Sequence, residues 1–125
     1  MKRLLTVCCV LVVLGCSNKE EPAPGLDRAA LMDPQSCAEC HPAPLYTDKK
    51  MHDVGTRSTY ELTDRFDTPT LIEVWRTSPY LHDGRASSIE GAVREHAGEA
   101  STARTEAANL SAADKEALFA FLRSL

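Results

Sequence analysis

The sequence predicts a small all-α protein, and three observations support this prediction. The 125 residues, 43% of them hydrophobic, are enough for at most one small domain. Apolar residues recur with helical spacing in two stretches near the C-terminus, within residues 87–96 and 111–125. No stretch shows the sustained alternation that is typical of half-buried strands. Together these observations favour helices packed around one core.

The chain begins with a segment that is typical of an export signal. Lys2 and Arg3 precede an apolar run, residues 4–14, that is too short to span a bilayer. The run ends in Val-Leu-Gly-Cys, residues 13–16, which resembles the lipobox of bacterial lipoproteins. This resemblance implies cleavage before Cys16 and stable lipid anchoring through it. An ordinary signal peptide and an uncleaved anchor are the alternatives.

The sequence around this signal gives the expected domain organisation. We expect a lipoprotein signal peptide over residues 1–15, a flexible, Pro-rich tether over 16–25 and one folded domain over 26–125. The mature protein would be exported, anchored to a membrane and facing the periplasm. Ser17, directly after the lipidated cysteine, slightly favours the outer membrane.

Cysteine and charge counts then narrow the possible functions. Cys8 and Cys9 leave with the signal and Cys16 carries lipid, so only Cys37 and Cys40 remain in the domain. Without the two basic residues of the signal, 12 basic residues face 18 acidic ones, a net charge of −6. Such an acidic chain argues against a nucleic-acid partner.

The remaining cysteines belong to the motif Cys37-Ala-Glu-Cys40-His41, which is typical of covalent c-type haem attachment. Two thiols three residues apart can bond the two vinyl groups of one porphyrin edge, and the next imidazole can reach the iron. This makes His41 the proximal iron ligand. The chain has too few further cysteines for a zinc site, and a redox disulfide would need a βαβ context that the flanks do not offer. A buried haem c would also supply the apolar centre that a small core lacks.

The N-terminal half of the domain is expected to be mostly irregular. Asp27 can cap a short helix over residues 28–33 that ends before Pro34. Residues 36–41 should form the attachment turn. Residues 42–68 contain turn formers and no sustained period, so they are predicted to be loop.

A short helix is predicted next. Thr68 would be its N-cap, Pro69 its first residue, and Ser78-Pro79 its stop. Trp75, within this helix, is interpreted either as a core residue or as a haem contact.

A second helix is predicted after Ser87 or Ser88, either of which can form an N-terminal cap with Glu90. Apolar residues and one histidine then share a helical face: Ile89, Ala92, Val93 and His96. His96 should therefore point inward, either as a hydrogen-bonded core residue or as the second iron ligand.

The C-terminal residues complete the helical prediction. Residues 100–110 are small and polar and are expected to be loop. Ser111 and Asp114 form a capping box before the last helix. That helix carries a broad apolar stripe predicted to be core: Leu118, Phe119, Phe121, Leu122 and Leu125.

Four stretches of the sequence, in this order, suggest a family: CAECHPAPLYTD, HDVGT, FDTPTLIEVWRTSPYLHDGRASSIEGAVREH and LSAADKEALFAFLRSL. They resemble the C-terminal haem domain of bacterial di-haem cytochrome c peroxidases and of the related methylamine-utilisation haem enzymes, over residues 36–125. The resemblance implies a class I cytochrome c-like fold wrapped around one covalently bound haem. In the peroxidases this haem transfers electrons, and its distal ligand is usually a methionine.

In this chain the position of that methionine is occupied by His96, the expected distal ligand. Met51, His52 and His82 are the alternative distal ligands, rivals of His96 for the iron. In the family that the chain resembles, the residue at the position of His82 lies near the haem without ligating it. Bis-histidine ligation is expected to lower the reduction potential relative to histidine and methionine.

Two arginines complete the candidate site. Arg76 and Arg85 could pair with haem propionates or remain solvated. Together with Trp75 and His82, Arg76 is placed near the haem.

The absence of a second Cys-x-x-Cys-His motif separates two functions. The first is a monohaem electron carrier, with no catalytic residues of its own, for redox partners such as a haem peroxidase or another cytochrome. The second is a peroxidase-related protein, which would reduce hydrogen peroxide either at a five-coordinate iron or with a haem from another chain.

Overall fold

A computed structural model of the chain describes Met32 and residues 37–125. The predicted signal peptide, the tether and Cys16 lie outside the described residues, as does nearly all of the first predicted helix. Among the residues that are described, no helix is both long and apolar enough to cross a membrane.

Most of the regular secondary structure in the described part of the chain is helical, which agrees with the predicted all-α class. Three α-helices lie in its second half: α1 at Ile89–Glu95, α2 at Ser101–Asn109 and α3 at Ala112–Ser124. Short 3₁₀ helices occur at Cys37–Glu39, Val74–Arg76 and Gly98–Ala100. The segment predicted as loop is largely irregular, but it contains two short antiparallel strands, β1 at Met51–His52 and β2 at Phe66–Asp67.

The N-cap of helix α1 is Ser88, one of the two residues, Ser87 and Ser88, that the sequence offered for this role. Its hydroxyl accepts a 3.0 Å hydrogen bond from the amide of Gly91. Ile89 and Gly91 are buried. The helix ends at Glu95, so His96 is its C-cap, with extended backbone, rather than its last helical residue.

Helix α3 confirms both its predicted cap and its predicted apolar stripe. The Ser111 hydroxyl accepts from the amide of Asp114 at 3.1 Å and donates to the Asp114 carboxylate at 2.7 Å. Leu118 and Leu122 are buried, and the other stripe residues pack beside them as partly buried side chains: Phe119, Phe121 and Leu125. Each buried leucine contributes about 2–3 kcal/mol through removal of apolar surface from water.

The core extends from α3 to the cysteine turn. Met32 and Ile89 join the two buried leucines, and Cys37 and Tyr46 pack against this cluster. The rings of Tyr46 and Phe121 meet edge to face, with centroids 5.9 Å apart. The last helix therefore supports the segment that carries the Cys-x-x-Cys-His motif.

The prediction of loop over residues 100–110 is wrong, because Ser101–Asn109 is helical. None of its residues is buried, and its N-cap, Ala100, makes no side-chain capping bond. The alanines and other good helix formers of this segment favour a helix by propensity without producing an apolar stripe.

The predicted helix opening at Thr68-Pro69 is also wrong; helical structure is confined to the 3₁₀ turn Val74–Arg76. Thr68 cannot act as a cap, because its amide and hydroxyl both donate to the carbonyl of Lys50, at 2.9 and 3.2 Å. Glu73, with a φ of 58°, prevents a longer helix. Trp75 is 53% exposed, so its interpretation as a core residue is wrong as well.

Candidate functional site

The cysteine motif forms a compact turn. Cys37–Glu39 is a 3₁₀ helix, and the amide of His41 donates to the carbonyl of Cys37 at 2.9 Å. Cys37 and Cys40 are partly buried, and neither is in a disulfide within the described residues. Burial, followed by the nearby carboxylate of Asp48, raises the pKa of the Cys40 thiol.

His41 is oriented by the backbone that follows the motif. Its Nδ1 lies 2.9 Å from the carbonyl oxygen of Tyr46, which can only accept a hydrogen bond. Nδ1 is therefore the donor in this contact. Burial lowers the pKa of His41, which favours the neutral imidazole that binds metals. The neighbouring His96 adds to this effect, while hydrogen bonds to the backbone carbonyls of Tyr46 and Pro69 and the charge of Asp48 oppose it. A ring whose other nitrogen donates to a carbonyl is the usual arrangement of a metal-ligating histidine.

His96 has the same arrangement at the end of α1. Its Nδ1 lies 2.7 Å from the carbonyl oxygen of Ala92, so Nδ1 is again the donor. His96 is close enough to His41 to lower that residue's pKa. The fold thus brings together two half-buried imidazoles from positions 55 residues apart, each with Nε2 unused by these hydrogen bonds.

His52 differs, because both of its ring nitrogens have carboxylate partners. Nε2 lies 2.8 Å from the Asp48 carboxylate and Nδ1 lies 2.9 Å from the Glu99 carboxylate. Arg65 forms a 3.0 Å ion pair with the second oxygen of Glu99. The sequence marked His52 only as a rival iron ligand, and this network was missed because Glu99 is distant along the chain.

His82 also has contacts at both nitrogens. Nε2 lies 2.8 Å from the Glu61 carboxylate, and Nδ1 lies 3.4 Å from the hydroxyl of the fully buried Thr56. Its ring stacks on Phe66 with centroids 3.6 Å apart. Met51, the remaining rival, is 49% exposed in β1.

The predicted propionate-binding arginines already have protein partners. Arg76 pairs with Glu73, while Arg85 pairs with Asp83 and donates to the carbonyl of Thr56. The first pair is exposed and contributes little to stability.

Over Met32 and residues 37–125, no three or more histidine, cysteine, aspartate or glutamate side chains form a cluster able to hold a metal ion. A metalloporphyrin requires less, because its ring nitrogens supply the equatorial ligands and the protein supplies only axial ones. The chemistry of Cys37, Cys40, His41 and His96 fits such a group.

Comparisons with known proteins agree with the C-terminal part of this description. The family described as "Di-haem oxidoreductase, putative peroxidase" matches residues 70–125. The protein named "Methylamine utilization protein MauG" from Methylorubrum extorquens is 33% identical over 73 residues, which cover 48% of this chain and 20% of that protein. The chain thus spans about a fifth of the length of this relative. No solved structure matches the chain.

Proposed function

We propose that this chain, which is similar to the di-haem oxidoreductase family and to MauG, is a monohaem c-type cytochrome that carries single electrons. The haem c would be covalently attached through Cys37 and Cys40. His41 would be its proximal iron ligand and His96 its distal one. The described helices would then form part of a class I cytochrome c-like fold around that haem.

The observation that carries this proposal is the hydrogen bonding of the four histidines. His41 and His96 each donate Nδ1–H to a backbone carbonyl. His52 and His82 have partners at both nitrogens. Ligation by His52, or by His82 through Nε2, would therefore break a contact to a carboxylate, whereas His41 and His96 can ligate without rearranging their Nδ1 bonds.

Two imidazoles held in this way suit electron transfer. The haem, when bound, supplies the one-electron chemistry. His41 and His96 would fill both axial positions and leave no coordination site for a substrate. The Nδ1 hydrogen bonds fix both ring orientations, which keeps the coordination similar in the two oxidation states. Trp75, Arg76 and His82 are proposed to lie near the haem without ligating it.

The proposed setting follows from the N-terminal sequence. Lipid on Cys16 would hold the domain at a membrane, facing the periplasm, on a tether long enough to let it reach redox proteins such as a haem peroxidase or another cytochrome. The acidic mature chain is not expected to bind nucleic acid. Metabolic labelling with radioactive palmitate should label the parent protein and not Cys16→Ser; an unlabelled parent protein would contradict this anchor.

A second candidate function is peroxide reduction. The matching family is described as a putative peroxidase, and this supports the enzymatic function as well as the carrier. It would require that His96 does not occupy the distal position, or that another chain supplies a second haem.

Spectroscopy of the purified holoprotein separates these functions. We expect one covalently bound haem, low-spin iron in absorption and electron paramagnetic resonance spectra, and negligible peroxide turnover. His96→Ala should become high-spin, His96→Met should stay six-coordinate at a higher potential, and His82→Ala should stay low-spin. A high-spin parent protein that turns over peroxide would favour the peroxidase, and absence of covalent haem would refute both.

A further inference from the structure

We propose that His52 is a positioning residue: together with Asp48 and Glu99 it connects the cysteine turn to the segment that carries His96. This inference rests on the proposed role of His96 as the distal ligand. It concerns how the chain fixes that ligand in place.

The first end of this connection is fixed to the cysteine turn. The amide of Asp48 donates to the carbonyl of Cys40 at 2.9 Å. One carboxylate oxygen of Asp48 accepts from the amide of Lys50 at 3.0 Å, and the other meets Nε2 of His52 at 2.8 Å. The Asp48 side chain is only 9% exposed. Burial opposes its charge, but hydrogen bonds from His52, from Lys50 and from Thr68 lower the pKa of Asp48 to about 2.

The second end lies three residues beyond His96. Nδ1 of His52 meets one oxygen of the Glu99 carboxylate at 2.9 Å. The other oxygen accepts from the amide of Asp53 at 3.3 Å and pairs with Arg65 at 3.0 Å. The Glu99 side chain is therefore held on both of its oxygens.

Backbone contacts transmit this connection to His96. The amide of Ala97 donates to the carbonyl of Val54 at 2.7 Å, and the amide of Glu99 donates to the carbonyl of Asp53 at 2.8 Å. His96 itself lies outside the helical ladder, with extended backbone at the end of α1. The residues after it therefore depend on this loop contact for their position.

Histidine suits this place because its two nitrogens point in different directions. A protonated imidazole donates from both nitrogens and can join two carboxylates at once. Glutamine offers donors on a single nitrogen and would retain at most one of these bonds with the same geometry. The bonds to Glu99 and then to Asp48 raise the pKa of His52, which is consistent with a doubly donating ring.

The test measures how readily the distal ligand leaves the iron in the purified holoprotein. Cyanide can bind the ferric iron only after His96 has moved away, so its binding rate reports on the placement of His96. Loss of one charge-assisted hydrogen bond changes an equilibrium by about tenfold. We expect His52→Gln and Glu99→Gln each to accelerate cyanide binding by about tenfold. Glu106→Gln, which removes a charge from an exposed position of α2, is the matched control and should leave the rate unchanged.

Amide hydrogen exchange in the same samples provides a readout that does not depend on the iron. The amides of Ala97 and Glu99 should lose protection in His52→Gln and in Glu99→Gln, while the amide of Leu118 in α3 stays protected. Glu99→Gln tests the inference even where His52→Gln does not fold.

The outcomes separate this inference from the proposed function. A low-spin parent protein in which both variants bind cyanide at the control rate overturns the positioning role and leaves the carrier function standing. Altered exchange without faster cyanide binding also overturns it, because the contact would then be structural only. A high-spin parent protein defeats the role of His96 as ligand, and with it the inference.

Discussion

Gly98→Ala should damage the fold next to His96 more than an ordinary glycine substitution would. Gly98 has a φ of 53°, where an L side chain costs about 1–2 kcal/mol. A Cβ at this position would lie 2.5 Å from the carbonyl oxygen of Asp53, which is too close for any relaxed structure. Relief of this clash would break the two adjacent backbone hydrogen bonds from Ala97 and Glu99, worth about 1 kcal/mol each. The free energy of unfolding should therefore fall by about 3–4 kcal/mol.

Gly84→Ala is the matched control for this prediction. Gly84 also has a positive φ, of 71°, but its added Cβ would meet only the Pro79 side chain, at 3.2 Å. Gly84→Ala should lower the free energy of unfolding by about 1–2 kcal/mol, which is the cost of the positive φ without a backbone clash. Urea unfolding of the two variants, with a slope of about 1–3 kcal/mol per molar, should give a clearly lower midpoint for Gly98→Ala. Equal midpoints would refute the argument that close packing of Gly98 holds this segment.

Three further predictions concern the core, a helix cap and pH. Leu118→Ala should lower the free energy of unfolding by about 2–5 kcal/mol, because Leu118 is buried. Leu62→Ala, at a fully exposed position, should change it by less than about 0.5 kcal/mol. Similar urea midpoints for the two variants would contradict the assigned core. Ser88→Ala should cost about 1 kcal/mol and Ser87→Ala almost nothing, since only Ser88 caps α1; the reverse order would reassign the cap. The carboxylate partners of His52 raise its pKa above the usual 6.5, so this residue stabilises the fold below pH 6.5 and loses its effect as pH rises through the higher folded pKa. Urea midpoints should therefore fall as pH rises above 6.5, and a fall of the same size in His52→Gln would exclude this source.

The parts of the fold that could be predicted from the sequence are those encoded by local signals. Ser111 with Asp114 is a capping box, and the apolar residues that follow repeat at helical spacing, so α3 was predicted correctly. The start of α1 was predicted at Ser87 or Ser88, and Ser88 is the cap. These signals depend only on residues within a few positions of each other.

The errors occur where distant contacts override the local sequence. Thr68 and Pro69 form a typical helix start. In the structure, however, the amide and the hydroxyl of Thr68 donate to the carbonyl of Lys50, which lies 18 positions earlier in the chain, and no helix begins at Thr68. Helix α2 gave the opposite error, because it has neither a capping side chain nor a buried face from which it could have been recognised. The contact of His52 with Glu99 could not be predicted, because the two residues lie 47 positions apart.

The distinction between carrier and enzyme depends on how firmly His96 is held, as well as on its chemical identity. A ligand on a short segment after a helix end could leave the iron easily, which would open a site for peroxide. Here the residues after His96 are joined by two backbone hydrogen bonds and by Glu99 to the loop that also carries His52. In the proposed holoprotein, such contacts would raise the free energy needed to vacate the distal position and would favour a closed, electron-transferring site. Weakening of the His52 contacts would increase the fraction of protein in which the distal position is vacant. We therefore expect His52→Gln to show peroxide turnover that the parent protein lacks.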